Sequence, residues 1–328
     1  MPYTRATGSR HADGATWRRL VVVALISAVA MTAGVVALNS SLRAKVGDAL
    51  LDSSVAAEGR LRQPALHLDR PTPYVALGDS FTAGPGVPPA VAGDEMCGRS
   101  ESNYPHVLAE RLTTLSLSDV SCSRAISLDL ARSQVHDGIS VPPQLEAVTP
   151  ETRLVTLSIG GNDFGVYGRI MAACALVPTE SERCQDSLGA GDGSLMEEAA
   201  AVEGRITSAV SRIRETAPRA FVAVVGYPRI FPADGTTCSA LPWSPPEVAW
   251  AAEVFEALNR SMAEAARRTD ALFVDVASQS DPLGVCAATP WIRGDSTSPG
   301  SAAAFHPLAH GMTQTSLVVQ RALERAAS

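Results

Sequence analysis

The 328-residue chain is 46% hydrophobic, enough to bury a sizeable core, and only 5% aromatic. Its net charge of -7 and the lack of a long lysine or arginine run speak against a nucleic-acid partner, as does the absence of interleaved aromatic and basic residues for stacking bases. The composition is otherwise that of an ordinary globular protein, except at its start.

Residues 1–19 carry Arg5, Arg10, Arg18 and Arg19, and residues 20–38 follow without a charge, mostly Val, Ala, Leu and Ile. That run nearly matches the ~20 residues a spanning helix needs, and the basic flank holds the N-terminus in the cytoplasm while the remainder passes outside. The segment reads as a transmembrane signal-anchor, or as a signal peptide cleaved after Val35-Val36-Ala37. Both readings give a membrane association through the N-terminal segment, lasting or transient, and an extracytoplasmic location for the rest. Residues 39–70 mix Ser, Ala, Arg, Asp and Leu and include Pro64, the composition of a stalk or linker. A regular domain then occupies 71–328.

Within it, apolar strand patterns fall at 74–78, 119–123, 153–159, 220–226 and 272–276. Helical patterns fall at about 103–117, 195–217, 245–269 and 307–326. The stretch 127–148 is less regular because Pro142 and Pro143 interrupt it, and 164–195 is a glycine-rich excursion that suits either a flap or a plain surface loop. Strands alternating with helices imply parallel pairing, and the run Phe221-Val222-Ala223-Val224-Val225 is apolar throughout, as a central strand covered on both faces should be. The expected fold is α/β, a three-layer α/β/α sandwich with about five parallel strands.

In an open parallel sheet the ligand site lies beyond the carboxyl ends of the strands. Ser80 follows the first strand, residues 122–125 follow the second and residues 160–163 follow the third, so all three belong to one rim. Gly78-Asp79-Ser80 places a hydroxyl where backbone amides can face an anion, although the same tripeptide also makes ordinary turns. Gly160-Gly161-Asn162-Asp163 permits close backbone approach and offers the Asn162 amide as a donor. His306 stands just before Pro307 and a helical pattern, as a capping or packing histidine also would. His306 and His310 are four apart but lack the Glu of a His-Glu-x-x-His site, so no metal is expected. All six cysteines, Cys97, Cys122, Cys174, Cys184, Cys238 and Cys286, lie beyond the apolar segment, and an even number in an exported chain suggests disulfides.

Gly-Asp-Ser near the start, Gly-Gly-Asn-Asp in the middle and His-Pro near the end together resemble the SGNH hydrolases, or GDSL-type lipases and esterases, over about residues 72–328. The resemblance implies a flavodoxin-like sandwich. It implies that Ser80 is the nucleophile, that the Ser80 amide and the Asn162 side chain belong to the oxyanion hole, and that His306 is the general base. Where the family usually offers a glycine amide, this chain has Arg124, whose own amide would serve. Where the family often has Asp, three residues before the histidine, this chain has Ala303. A main-chain carbonyl near Ala303 would then orient the imidazole, giving a Ser-His dyad, with Asp295 as the runner-up acid partner. Asp79 and Asp163 take structural roles beside the nucleophile and the donor instead of forming a glycosidase pair.

Similarity to the secreted three-disulfide bacterial members implies the pairs Cys97–Cys122, Cys174–Cys184 and Cys238–Cys286. The activity implied is an extracytoplasmic serine ester hydrolase acting without a cofactor through an acyl-serine intermediate on a lipid or another acylated small molecule. The alternatives are a polysaccharide acetylesterase or an acyltransferase using the same site, or a catalytically inactive binding module.

Overall fold

The computed structural model describes residues 63–176, 193–295 and 301–328. The basic segment 1–19, the apolar segment 20–38 and residues 39–62 of the linker lie outside the described residues, as does Cys184. Among the described residues no helix is long and apolar enough to cross a membrane.

Five parallel strands form one sheet: β1 (Thr72–Gly78), β2 (Leu115–Asp119), β5 (Leu154–Ser158), β6 (Phe221–Val225) and β7 (Leu272–Val274). Their spatial order is β2-β1-β5-β6-β7, with every neighbouring pair parallel. Counting these five alone, the order is that of the flavodoxin-like sandwich. Strands β5 and β6 are buried at every position, which accounts for their continuous apolar sequences.

Successive side chains alternate between two cores. Val75, Leu77, Val155, Leu157, Val222 and Val224 enter one, which is closed by α4 (Gly193–Thr216) and α5 (Pro245–Arg268). Tyr74, Ala76, Leu154, Ala223 and Val225 enter the other, beneath α2 (Tyr104–Arg111) and α6 (Ala309–Ala327). The tyrosines of this second core are paired: the Tyr74 hydroxyl lies 2.8 Å from Thr156 Oγ1, which also accepts from the Tyr104 hydroxyl at 3.3 Å.

Several boundaries differ from expectation. The second strand is 115–119, not 119–123, because Leu115-Ser-Leu-Ser-Asp119 alternates on a half-exposed edge strand, whereas the more apolar residues after it are already the strand's exit. For the same reason the helix expected over 103–117 stops at Arg111. It begins where Asn103 accepts the His106 amide at 3.1 Å and Pro105 occupies the first turn.

The irregular stretch 127–148 holds a 3-10 turn (Ser127–Leu130), a hairpin of β3 (Gln134–His136) and β4 (Ile139–Val141), and a second 3-10 turn (Gln144–Ala147). Asp137 and Gly138, both at positive φ (49° and 78°), form the hairpin's tip. Part of the excursion 164–195 is helical, α3 (Val166–Leu176), while 177–192 lie outside the described residues. The short helix α1 (Ser80–Ala83) completes the set.

Disulfides join Cys97 to Cys122 and Cys238 to Cys286, and Cys174 is also disulfide-bonded, its expected partner Cys184 lying outside the described residues. The first bridge ties the loop after α1 to the exit of β2. Cross-linking residues 25 apart restricts the unfolded chain more than the folded one. Replacing Cys97 and Cys122 together by Ala should lower the unfolding free energy by about 3 kcal/mol, read from the denaturant midpoint and slope of each protein.

Candidate active site

Strand β1 ends at Gly78, where a Cβ would lie 2.2 Å from Thr82 Oγ1 and 2.6 Å from the Ser158 carbonyl, so only glycine lets the chain turn so tightly. Asp79 caps the following turn by accepting the Phe81 amide at 2.9 Å, and Ser80 is the first residue of α1. The site's floor is fixed further by Gln144, whose amide accepts from Gly78 N at 2.8 Å and donates to Gly78 O at 2.9 Å.

His306 arrives from the other end of the chain. Ala303 N donates to the Pro85 carbonyl at 2.9 Å, and an isolated bridge joins Ile292 to Pro307, so the loop before α6 is held on both sides. His306 Nε2 lies 2.9 Å from Ser80 Oγ, and Nδ1 lies 2.7 Å from the Ala304 carbonyl. A carbonyl only accepts, so the ring proton resides on Nδ1 and the Nε2 lone pair faces the serine hydroxyl.

The carbonyl that meets the ring is that of Ala304, next to Ala303. Ala303's carbonyl already accepts the His306 backbone amide at 3.1 Å in the turn that presents the ring. Asp295 is not brought to His306: it is exposed, its backbone amide donates to Ala240 at 3.1 Å, and no carboxylate contributes to the shift of the imidazole. Burial lowers the His306 pKa below its ordinary 6.5, opposed by the bond to Ala304.

Asn162 and Arg124 stand on adjoining loops, since Asn162 Nδ2 donates to the Ala125 carbonyl at 3.1 Å. Arg124 adopts φ 66°, the left-handed region that glycine enters without strain, and its side chain is exposed. The flank of Asn162 is fixed by buried Asp163, which accepts from Ser127 N at 2.7 Å and Ser127 Oγ at 2.6 Å and pairs with Arg205 at 3.1 Å. The Arg205 guanidinium also covers the Phe164 ring at 3.9 Å.

Two tyrosines here were not anticipated. Tyr167, on α3, donates to the Ala304 carbonyl at 3.2 Å and presents its ring edge to His306 with centroids 5.3 Å apart. Tyr227 donates to Asp79 Oδ2 and accepts the Gly161 amide at 2.8 Å. Burial pushes the Asp79 carboxyl up to about 7 against the lowering effect of the bonds from Tyr227 and Phe81. Tyr227 stands two residues beyond the end of β6, so the rule that gathers strand exits at one rim was the signal that could have found it.

The match to known proteins has the same extent as this fold and site: the model of the GDSL-like lipase/acylhydrolase family covers residues 76–314. The chain belongs to that family. Membership gives the reaction class, carboxylic ester hydrolysis. The chain is 37% identical to Lipase 2 of Streptomyces coelicolor over 228 residues, 67% of this chain and 75% of that protein. The extracellular lipase of Streptomyces rimosus superposes with a TM-score of 0.62 at 26% identity, covering 78% of this chain and 99% of the other. The phospholipase A1 of Streptomyces albidoflavus also gives 0.62, at 27% identity and the same coverages of 78% and 99%.

An NMR titration of the His306 ring should give a midpoint below 6.5, the neutral base being retained as pH falls through that value. Asp295→Asn should leave the midpoint where it is. A fall on substitution would show that the carboxylate reaches the imidazolium.

Proposed function

We propose that this chain is an extracytoplasmic lipid esterase working through a Ser80–His306 dyad and an acyl-serine intermediate. The observation that carries the reading is the pair of contacts on one imidazole, Ser80 Oγ at 2.9 Å from Nε2 and the Ala304 carbonyl at 2.7 Å from Nδ1. As Ser80 Oγ attacks the ester carbonyl carbon, its proton passes to Nε2. The carbonyl oxygen becomes an oxyanion facing the amides of Ser80 and Arg124 and the Asn162 Nδ2, a site that suits preorganised donors. Nε2–H then protonates the departing alcohol. Water gives a proton to Nε2 and attacks the acyl carbon, the acid leaves, and Ser80 regains its hydrogen.

An extracytoplasmic location is supported by the disulfides, by the apolar segment 20–38 behind its arginines, and by the likeness to a lipase described as extracellular. A lipid substrate is supported by the surface around the site. Among the described residues, the large apolar side chains standing exposed are Leu128, Val135, Ile139 and Phe164. Scattered exposed apolar residues are ordinary, but these flank Arg124 and Asn162. The bonds of Ser127 to Asp163 join the segment leading to Leu128 to the segment leading to Phe164. The hairpin bearing Val135 and Ile139 is rooted at the rim, where Gln134 Nε2 donates to the Ser123 carbonyl at 2.8 Å. Val135 lies opposite Ser140 and Ile139 opposite His136, so each face of the hairpin carries one exposed apolar side chain. Such a border suits acyl chains presented by a lipid surface better than a sugar acetate.

A fluorophosphonate probe should label the oxidised wild type and leave Ser80→Ala unlabelled; an unlabelled wild type would remove the serine-hydrolase reading. Replacing Val135 and Ile139 together by Asp should cut turnover of emulsified triglyceride or phospholipid vesicles by about tenfold or more. Dissolved p-nitrophenyl acetate should be hydrolysed within about twofold of the wild-type rate, because the hairpin tip holds none of the reacting groups. Equal losses on both substrates would assign the hairpin to the integrity of the site instead of to lipid contact.

A further inference from the structure

We propose that Tyr227 is a positioning residue that sets the nucleophile turn and the Asn162 loop at their working separation. Its single hydroxyl makes two bonds in opposite senses. It donates to Asp79 Oδ2, and it accepts the Gly161 amide at 2.8 Å. Asp79 immediately precedes Ser80, and its other oxygen holds the first turn of α1 through Phe81 N at 2.9 Å. Gly161 immediately precedes Asn162. One phenol oxygen therefore links the residue before the nucleophile to the residue before the side-chain oxyanion donor.

The linking atom is itself fixed. Tyr227 is fully buried, and its backbone is bracketed by Asn259, which accepts Tyr227 N at 2.8 Å and donates to Tyr227 O at 3.0 Å. Its ring meets Phe81 edge-on with centroids 5.0 Å apart. The contact with Gly161 is equally close: a Cβ there would lie 3.2 Å from the Tyr227 hydroxyl oxygen and 3.3 Å from Cζ. The second glycine of Gly-Gly-Asn-Asp is thus the residue that admits the phenol. The hydroxyl occupies the Gly161 amide, which leaves Asn162 Nδ2 as this loop's donor toward the substrate.

The chemistry separates positioning from plain packing. Ground-state binding of an ester does not use the distance between Ser80 and Asn162, whereas the tetrahedral intermediate does, because the oxyanion must meet donors from both loops. A change in that distance lowers kcat and spares KM. The inference rests on the serine-hydrolase reading above, and wild-type labelling by a fluorophosphonate tests that reading separately.

The experiment measures kcat and KM on p-nitrophenyl butyrate for the wild type, Tyr227→Phe, Asp79→Ser and the double variant, at a temperature well below each melting point. Tyr227→Phe should lower kcat by about ten- to a hundredfold, with KM within about threefold. The double variant should fall no further than the worse single one, since both changes open the same link. Tyr227→Phe turning over within twofold of the wild type, a loss confined to KM, or losses that multiply in the double variant would each overturn the proposal. If Tyr227→Phe does not fold, Asp79→Ser decides alone, because the Ser hydroxyl still caps α1 and is too short to reach Tyr227 as well: a fall in kcat at constant KM supports the link, and an unchanged kcat removes it. An unlabelled wild type would remove the serine-hydrolase reading, and this inference with it.

Discussion

Parallel pairing of β1 with β2 on one side and β5 on the other is the constraint on which the site depends. Strands running in one direction all end on one edge, and neighbouring strands lie about 4.8 Å apart, so three exits become neighbours without any search by the loops themselves. The exit of β1 supplies Ser80, that of β2 supplies Arg124 and that of β5 supplies Asn162. What remains to be arranged is angle and fine spacing, and polar side chains set them: Gln144 on Gly78, Ser127 and the half-buried Arg205 on Asp163, and Tyr227 between Asp79 and Gly161.

Holding an imidazole by a carbonyl has a different physical character from holding it by a carboxylate. The Ala304 carbonyl fixes the tautomer and the ring plane, but as a dipole it stabilises a passing imidazolium less than a full negative charge would. The downward shift of His306 by burial agrees with such surroundings. The ring compensates through rigidity: Phe81 and Tyr167 pack against it at centroid distances of 5.2 and 5.3 Å.

The central strands and long helices were legible in the sequence because burial on one or both faces leaves a periodic apolar trace. Strand β2 was misplaced by four residues because an edge strand needs only alternate apolar positions, and serines occupied the others. Ser80, Asn162 and His306 were legible as a family pattern, and the position of the orienting carbonyl was legible only to within one residue. Which of two adjacent carbonyls faces the ring depends on which one the turn consumes, and Ala303's is consumed. Asp295 drew notice as a nearby carboxylate in the sequence, but the backbone carries it toward Ala240. The exit of β6 puts Tyr227 at the rim, but for it as for Tyr167 a phenol that packs and a phenol that links two loops look alike until their partners are placed.

The bridge between Cys97 and Cys122 has a consequence for the cell that makes this protein. Beyond the covalent bond, Ser123 N donates to the Cys97 carbonyl at 3.0 Å, so the loop carrying Arg124 in its left-handed conformation is sewn to the segment after α1. Cytosolic thiols stay reduced, and there the loop lacks its stitch. In the extracytoplasmic reading proposed above, maturation is tied to departure: the framework closes only once the chain reaches an oxidising compartment.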